Sequence, residues 1–190
     1  DYDNDGWLDL FIVNGAVLEI DSLVLKKDPY PLHQPNQLLK NIDGEKFVDV
    51  SSELGESGKL SEVSRGMSVG DIDNDGDLDI LVTNNNGRTR ILLNTTGNSN
   101  HWLGIRLVDD NGRDMLGSRA ILHRSEGDPL TRTSRTAGSY CSANDPRIIF
   151  GLGDSADAEA LEVIWPDGTR ERFPPPQPDK YTTITKQSGN

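Results

Sequence analysis

The sequence predicts an all-β protein in two parts, and three observations carry that prediction. An acidic nine-residue phrase occurs twice, as Asp1-Tyr2-Asp3-Asn4-Asp5-Gly6-Trp7-Leu8-Asp9 and as Asp71-Ile72-Asp73-Asn74-Asp75-Gly76-Asp77-Leu78-Asp79. Each copy runs straight into an apolar stretch, Leu10-Phe11-Ile12-Val13 or Ile80-Leu81-Val82, with the β-branched and aromatic character of a strand. Beyond residue 100 the chain breaks into short alternating or apolar runs separated by turn formers. Helix is expected to be scarce, with a short helical turn at 22–27.

The acidic phrase has the chemistry of a calcium loop. Calcium is a hard cation that gathers six to eight oxygens at about 2.3–2.6 Å in forgiving geometry. A tight loop can turn side chains 1, 3, 5 and 9 and the carbonyl of residue 7 toward one centre. The ligands expected in the second loop are Asp71, Asp73, Asp75, the carbonyl of Asp77, and Asp79. In the first they are Asp1, Asp3, Asp5, the carbonyl of Trp7, and Asp9. Gly6 and Gly76 supply the turn where a Cβ would clash or a positive φ is needed, and Asn4 and Asn74 tolerate left-handed backbone. An EF-hand shares the opening but needs a bidentate Glu at position twelve and a following helix; position twelve here is Ile12 or Val82, in a strand. A plain hairpin turn also uses Asp, Asn and Gly. Five carboxylates within nine residues repel one another without a counter-ion, and the pattern is duplicated, which favours metal. Magnesium demands a stricter octahedron and fits the loop less well.

The rest of the first part repeats around these loops. Residues 36–41 and 46–50 read as strands after the first loop, and residues 90–94 read as one after the second. The loops start 70 positions apart, beyond the usual blade repeat of about 40–50 residues. Residues 16–35, with Asp28-Pro29-Tyr30-Pro31, read as a surface insertion that accounts for the excess. An alternating strand, Gly66-Met67-Ser68-Val69-Gly70, delivers Asp71 into its site. Asp1 has no such strand before it, and a free α-amino group would add positive charge beside the first metal. Asn94-Thr95-Thr96-Gly97-Asn98-Ser99-Asn100 is a polar linker and marks the boundary between parts 1–98 and 99–190.

In the second part seven strands are expected, at 102–108, 119–123, 130–136, 147–152, 160–165, 170–173 and 181–185. Turn signals separate them at Asn111-Gly112, Glu126-Gly127-Asp128, Asn144-Asp145-Pro146 and Pro166-Asp167-Gly168. Pro174-Pro175-Pro176-Gln177-Pro178 is a stiff connection before the last strand.

Composition narrows the function. Of 31 acidic and 19 basic residues, giving a net charge of −12, residues 1–94 hold 18 and 8. That balance argues against nucleic acid, whose binding rests on neutralising phosphates with Lys and Arg. No apolar run approaches bilayer length. The lone Cys141 forms no internal disulfide and reads as a small buried hydrophobe rather than a reactive thiol. Loops of this kind suit the millimolar calcium found outside the cell. Asn94-Thr95-Thr96 fits a glycosylation acceptor.

No catalytic constellation stands out. His33, His101 and His123 fall in different segments without ligand spacing, and His101 reads as a packing residue at a strand start. Ser139 lacks a Gly-x-Ser-x-Gly elbow. Asn144-Asp145-Pro146 reads as a capped turn rather than a third metal site. Arg119, Arg132, Arg135 and Arg147 could form an anionic-glycan surface, although ion pairing on a solvated sheet is favoured. Trp7, Trp102 and Trp165 sit at apolar positions and read as core.

Together the two loop-and-strand units resemble the FG-GAP or VCBS repeat, the calcium-binding blade of integrin-α-like β-propellers. The second part resembles the ASPIC/UnbV domain. Its carrying segments are Asn100-His101-Trp102-Leu103, Gly117-Ser118-Arg119-Ala120, Gly138-Ser139-Tyr140-Cys141-Ser142, Asn144-Asp145-Pro146, Phe150-Gly151-Leu152-Gly153 and Val163-Ile164-Trp165-Pro166-Asp167-Gly168. The resemblance implies a partial β-propeller of about two calcium-loop blades followed by a β-sandwich-like domain. It implies a non-enzymatic, extracellular or periplasmic adhesion or recognition protein with structural Ca2+ and a protein or glycan partner. The alternative is the C-terminal accessory or carbohydrate-binding region of a secreted hydrolase. A propeller needs at least four blades, so two leave edges open to further blades or to edge-to-edge contact with another copy.

Overall fold

A computed structural model describes residues 1–187 and 189, with residue 98 by its backbone alone. The first half contains β1 (Leu10–Ile12), the short α-helix α1 (Asp21–Leu25), β2 (Gln34–Pro35), β3 (Gln37–Ile42), β4 (Lys46–Asp49), β5 (Ser61–Glu62), β6 (Ser64–Gly70), β7 (Asp79–Asn84) and β8 (Arg90–Leu92), with 3-10 turns at Ser51–Leu54 and Ser57–Lys59. The second half contains β9 (His101–Val108), β10 (Arg119–His123), β11 (Leu130–Thr133), β12 (Ile148–Gly153), β13 (Ala160–Ile164), β14 (Arg170–Phe173) and β15 (Tyr181–Thr185). The chain is all-β, and strands rather than helices follow both acidic loops.

In the first half β1-β3-β4 and β6-β7-β8 are three-stranded antiparallel sheets, and β2 pairs with β5. None of the sheets closes. Their apolar interior is thin, with Leu38, Val63 and Val82 buried, while Leu10, Ile12, Phe47, Val48 and Ile91 remain exposed. Trp7, expected in a core, lies 43 % exposed. It sits in the loop ahead of β1, and its ring covers Gly44 of the β3–β4 turn instead of an interior. The 16–35 insertion contains α1 and is largely exposed. Arg65 ties its start down, donating to the carbonyls of Gly15 (2.7 Å) and Ala16 (3.0 Å).

The second half has two sheets, ordered β11-β10-β13-β14 and β12-β9-β15, with β15 parallel to β9 and every other pairing antiparallel. Period-two side chains put Leu103, Ile105 and Leu107 of β9 into one core with Phe150, Leu122, Leu161, Val163, Trp165 and Phe173. On β9 the alternate position Trp102 is also buried, so this strand is covered on a second face. What covers that face is the pair of acidic loops.

Two further expectations change. Cys141 is exposed and adopts a left-handed φ of 48°, because it lies in a turn rather than a strand. His101 is not packed: its Nδ1 lies 2.8 Å from Asp179 Oδ2 at the surface.

Candidate metal centre

The two loops share four backbone-to-carboxylate hydrogen bonds. The amides of Tyr2 and Ile72 donate to Oδ2 of Asp9 and Asp79, at 3.1 and 2.8 Å. Those of Gly6 and Gly76 donate to Oδ2 of Asp1 and Asp71, at 3.1 and 2.9 Å. Those of Trp7 and Asp77 donate to Oδ1 of Asp5 and Asp75, both at 2.9 Å. Finally the amides of Asn41 and Asn94 donate to Oδ1 of Asp9 and Asp79, both at 2.8 Å. Asn4 and Asn74 have φ of 56° and 62°, and Gly6 and Gly76 both have 95°, the left-handed backbone that the turn requires. Asn94 is thus a loop anchor. Its side-chain amide donates to the Tyr2 carbonyl at 2.6 Å, so the nitrogen a glycan would need is already engaged.

This folding brings Asp71, Asp73 and Asp79 together with carboxylate oxygens within 4.8 Å of one another, and does the same for Asp1, Asp3 and Asp9. Asp5 and Asp75 stand beside these trios, each with one oxygen on the loop amide. The Asp77 side chain turns away from its loop: its Oδ1 accepts from Asn4 Nδ2 at 2.9 Å, and that same amide donates to the Gly76 carbonyl at 3.2 Å. Asn4, fully buried, therefore joins the first loop to the second.

The loops differ in their cations. In the first, Lys40 Nζ binds Asp3 and lies 3.4 Å from Asp5, and Arg132 lies 3.5 Å from Asp1. The hydrogen bond to Asp3 is the main cause of the upward shift of the Lys40 ammonium. In the second loop Leu93 stands where Lys40 stands, one residue before the anchoring asparagine. Among the described residues no basic side chain forms an ion pair with any of its five carboxylates, although Asp71 and Asp79 are buried. Burial pushes the Asp75 and Asp77 carboxyls up, Asp77 to about 6, and the neighbouring charge of Asp75 adds to the latter. Buried carboxylates are normally paired, protonated or bound to metal. In the first loop Oδ1 of Asp1 and of Asp3 are buried and accept no hydrogen bond. Both donor sets are all-oxygen and carboxylate-rich, which suits a hard divalent cation.

The second half holds both loops. Gly151 of β12 pairs with Trp102 of β9. The first loop packs its Asn4 backbone against Gly151, and the second packs Gly76 against the Trp102 indole. A bulge between Gly151 and Gly153 lets the Gly153 amide donate to the Asn4 carbonyl at 2.8 Å. Arg132 donates to the Gly6 carbonyl at 2.9 Å, and burial lowers its pKa to about 10. The Asn144-Asp145 turn clasps β6 through Val69, whose amide donates to Asn144 Oδ1 (3.0 Å) and whose carbonyl accepts from Asp145 N (3.0 Å). Of the four arginines, Arg132 and Arg147 serve this junction. The three histidines lie apart: His33 stacks on Tyr30, and His123 lies 3.5 Å from Glu162.

Comparison with known proteins finds a separate match at each end of the chain. Residues 1–82 match the family model of the FG-GAP-like repeat, and residues 108–190 match that of ASPIC and UnbV. The chain thus matches one family model in each half. It is 28 % identical over 173 residues to cartilage acidic protein 1 of Mus musculus and to that of Homo sapiens, with 88 % of the chain covered in each case. The Xenopus tropicalis protein of the same name is 26 % identical over 174 residues. The chain spans about a quarter of the length of these relatives, between 24 and 25 %. No helix among the described residues is long and apolar enough to cross a membrane.

Proposed function

We propose that this chain is a non-enzymatic, calcium-stabilised recognition module that works outside the cytoplasm. The carrying observation is the second loop, where buried Asp71 and Asp79 converge with Asp73 and, among the described residues, no basic side chain forms an ion pair with them. Asp71, Asp73, Asp75, the Asp77 carbonyl and Asp79 would hold the ion. Asp1, Asp3, Asp5, the Trp7 carbonyl and Asp9 form a second, weaker site in which Lys40 competes. Calcium would neutralise the crowded carboxylates and fix the entry of β1 and β7, so that binding and folding free energies are linked.

The partner is a protein or a glycan rather than nucleic acid, in keeping with the net charge of −12. The open edges and exposed apolar side chains of the first half offer a surface for such a partner, for further blades, or for another copy. Domain limits of 1–98 and 99–190 accord with the strand pairings, none of which crosses that point among the described residues.

Thermal unfolding in EDTA and in calcium tests the metal assignment. At 100-fold excess over Kd, calcium should add about 2.7 kcal/mol, which for a chain of this size is about 5–10 °C in Tm. Asp73→Ala/Asp75→Ala should abolish most of the rise. A metal-free protein that calcium does not shift would reduce the loops to turns.

A further inference from the structure

The geometry points to the second half as the outer shell of the second calcium loop. We propose that Tyr181 and Arg147 are positioning residues that set the loop's calcium affinity, and that calcium in turn tightens the docking of the two halves. The proposal rests on the calcium assignment above and adds what controls it.

Asp71 is the residue through which the control runs. Its Oδ2 accepts from Gly76 N at 2.9 Å and from Tyr181 Oη at 2.8 Å. Oδ1 has only a long contact, 3.2 Å, from Asp75 N, and is the oxygen left for a cation. Tyr181 opens β15, 110 residues away in sequence, so a strand of one half orients a ligand of the other.

Arg147 completes the grip. It donates to the Asp71 carbonyl at 2.7 Å and to Asn74 Oδ1 at 2.6 Å, while Asp145 pairs with the same guanidinium at 2.6 Å. Its charge lies 4.3 Å from the centre of the Tyr181 ring, and Trp102 packs edgewise on that ring at 5.2 Å. One guanidinium thus fixes the first ligand and the left-handed Asn74, and steadies the tyrosine that orients the same ligand.

The first loop has no such arrangement. Arg132 reaches its Gly6 carbonyl and Asp1, but among the described residues no tyrosine donates to Asp1. The first loop carries Lys40 inside it, whereas the second has its cationic and hydrogen-bonding support outside, on the other half. Outer-shell partners that orient a metal ligand typically change affinity about 10–100-fold when removed. Binding free energies are reciprocal, so whatever docking adds to calcium affinity, calcium adds to docking.

The test is isothermal calcium titration of the full chain as wild type, Tyr181→Phe, Arg147→Lys and, as a control on the exposed face of β15, Thr183→Ala. Hydrogen exchange is read on β15 and β12 with and without calcium. Tyr181→Phe and Arg147→Lys should each weaken the tighter site about tenfold and shrink the calcium-dependent protection of β15, and Tyr181→Phe should leave Tm in EDTA within about 2 °C of wild type. Thr183→Ala should change neither the affinity nor the protection. Wild-type affinity in both variants, or calcium protection confined to residues 71–79, overturns the proposal while the calcium assignment stands. Failure of the wild type to bind calcium overturns both.

Discussion

Gly76→Ala and Gly6→Ala make the same change at the same motif position and at the same φ of 95°, yet their costs should differ. Forcing an L side chain into left-handed backbone costs about 1–2 kcal/mol, and both variants bear that. At Gly6 the new Cβ meets the Gly151 carbonyl at 3.3 Å and the Leu130 methyls at 3.7 and 3.8 Å, contacts that small shifts relieve. At Gly76 it would lie inside the Trp102 indole, which is itself buried between the loop and β9. Displacing a packed ring adds about 1–3 kcal/mol. Gly76→Ala should therefore destabilise by about 2–5 kcal/mol and Gly6→Ala by about 1–2 kcal/mol. Urea unfolding in EDTA, which removes any contribution from calcium, measures the difference. In a Trp102→Ala background the two costs should converge. Equal costs in the wild-type background would refute the claim that the second loop is seated on Trp102.

Three further outcomes follow from the same geometry. The Asp77 carboxyl, raised to about 6, costs folded stability above that value, and the cost fades as pH falls from about 6 toward 3.8. Asp77→Asn should stabilise the metal-free protein at pH 7.5 by about 1–3 kcal/mol and remove this component of its pH slope between 4 and 6, read from urea midpoints. Exchanging the cations should exchange the sites' strengths: Lys40→Leu should raise the first loop's calcium affinity and Leu93→Lys should lower the second's, by roughly tenfold each in a two-site titration. Arg132→Met should destabilise by about 1–3 kcal/mol by orphaning the Gly6 carbonyl, with the thermal midpoint as readout.

Much of this was legible in sequence because the signals are local. Carboxylate spacing marked both loops, and short alternating or apolar runs between turn formers marked all seven strands of the second half, with β11 and β13 ending slightly earlier than expected. Trp7 misled because an apolar residue at a strand entry reads as core only if an interior lies across from it, and here the ring lies over the Gly44 turn and stays 43 % exposed. Cys141 misled because residue type alone suggested burial, whereas the turn that holds it leaves it exposed. The junction was not legible at all. Tyr181, Arg147, Trp102 and Gly151 meet the loops across 26 to 147 positions, and nothing in their own neighbourhoods announces a partner. Asn4 and Asn74 share a motif position, but one is buried between the loops and the other exposed, a difference that only the packing reveals.

The central claim is that the 71–79 loop holds calcium against the second half. Luminescence of terbium, an oxygen-seeking ion that takes calcium sites, tests it most directly when excited through tryptophan, because Trp102 packs on Gly76 and Trp7 belongs to the first loop. The account predicts sensitised emission that calcium displaces, with the tighter component lost in Trp102→Phe and in Asp73→Ala/Asp75→Ala but kept in Trp7→Phe. Emission that calcium cannot displace, or that survives both the Trp102 and the aspartate changes, would contradict it.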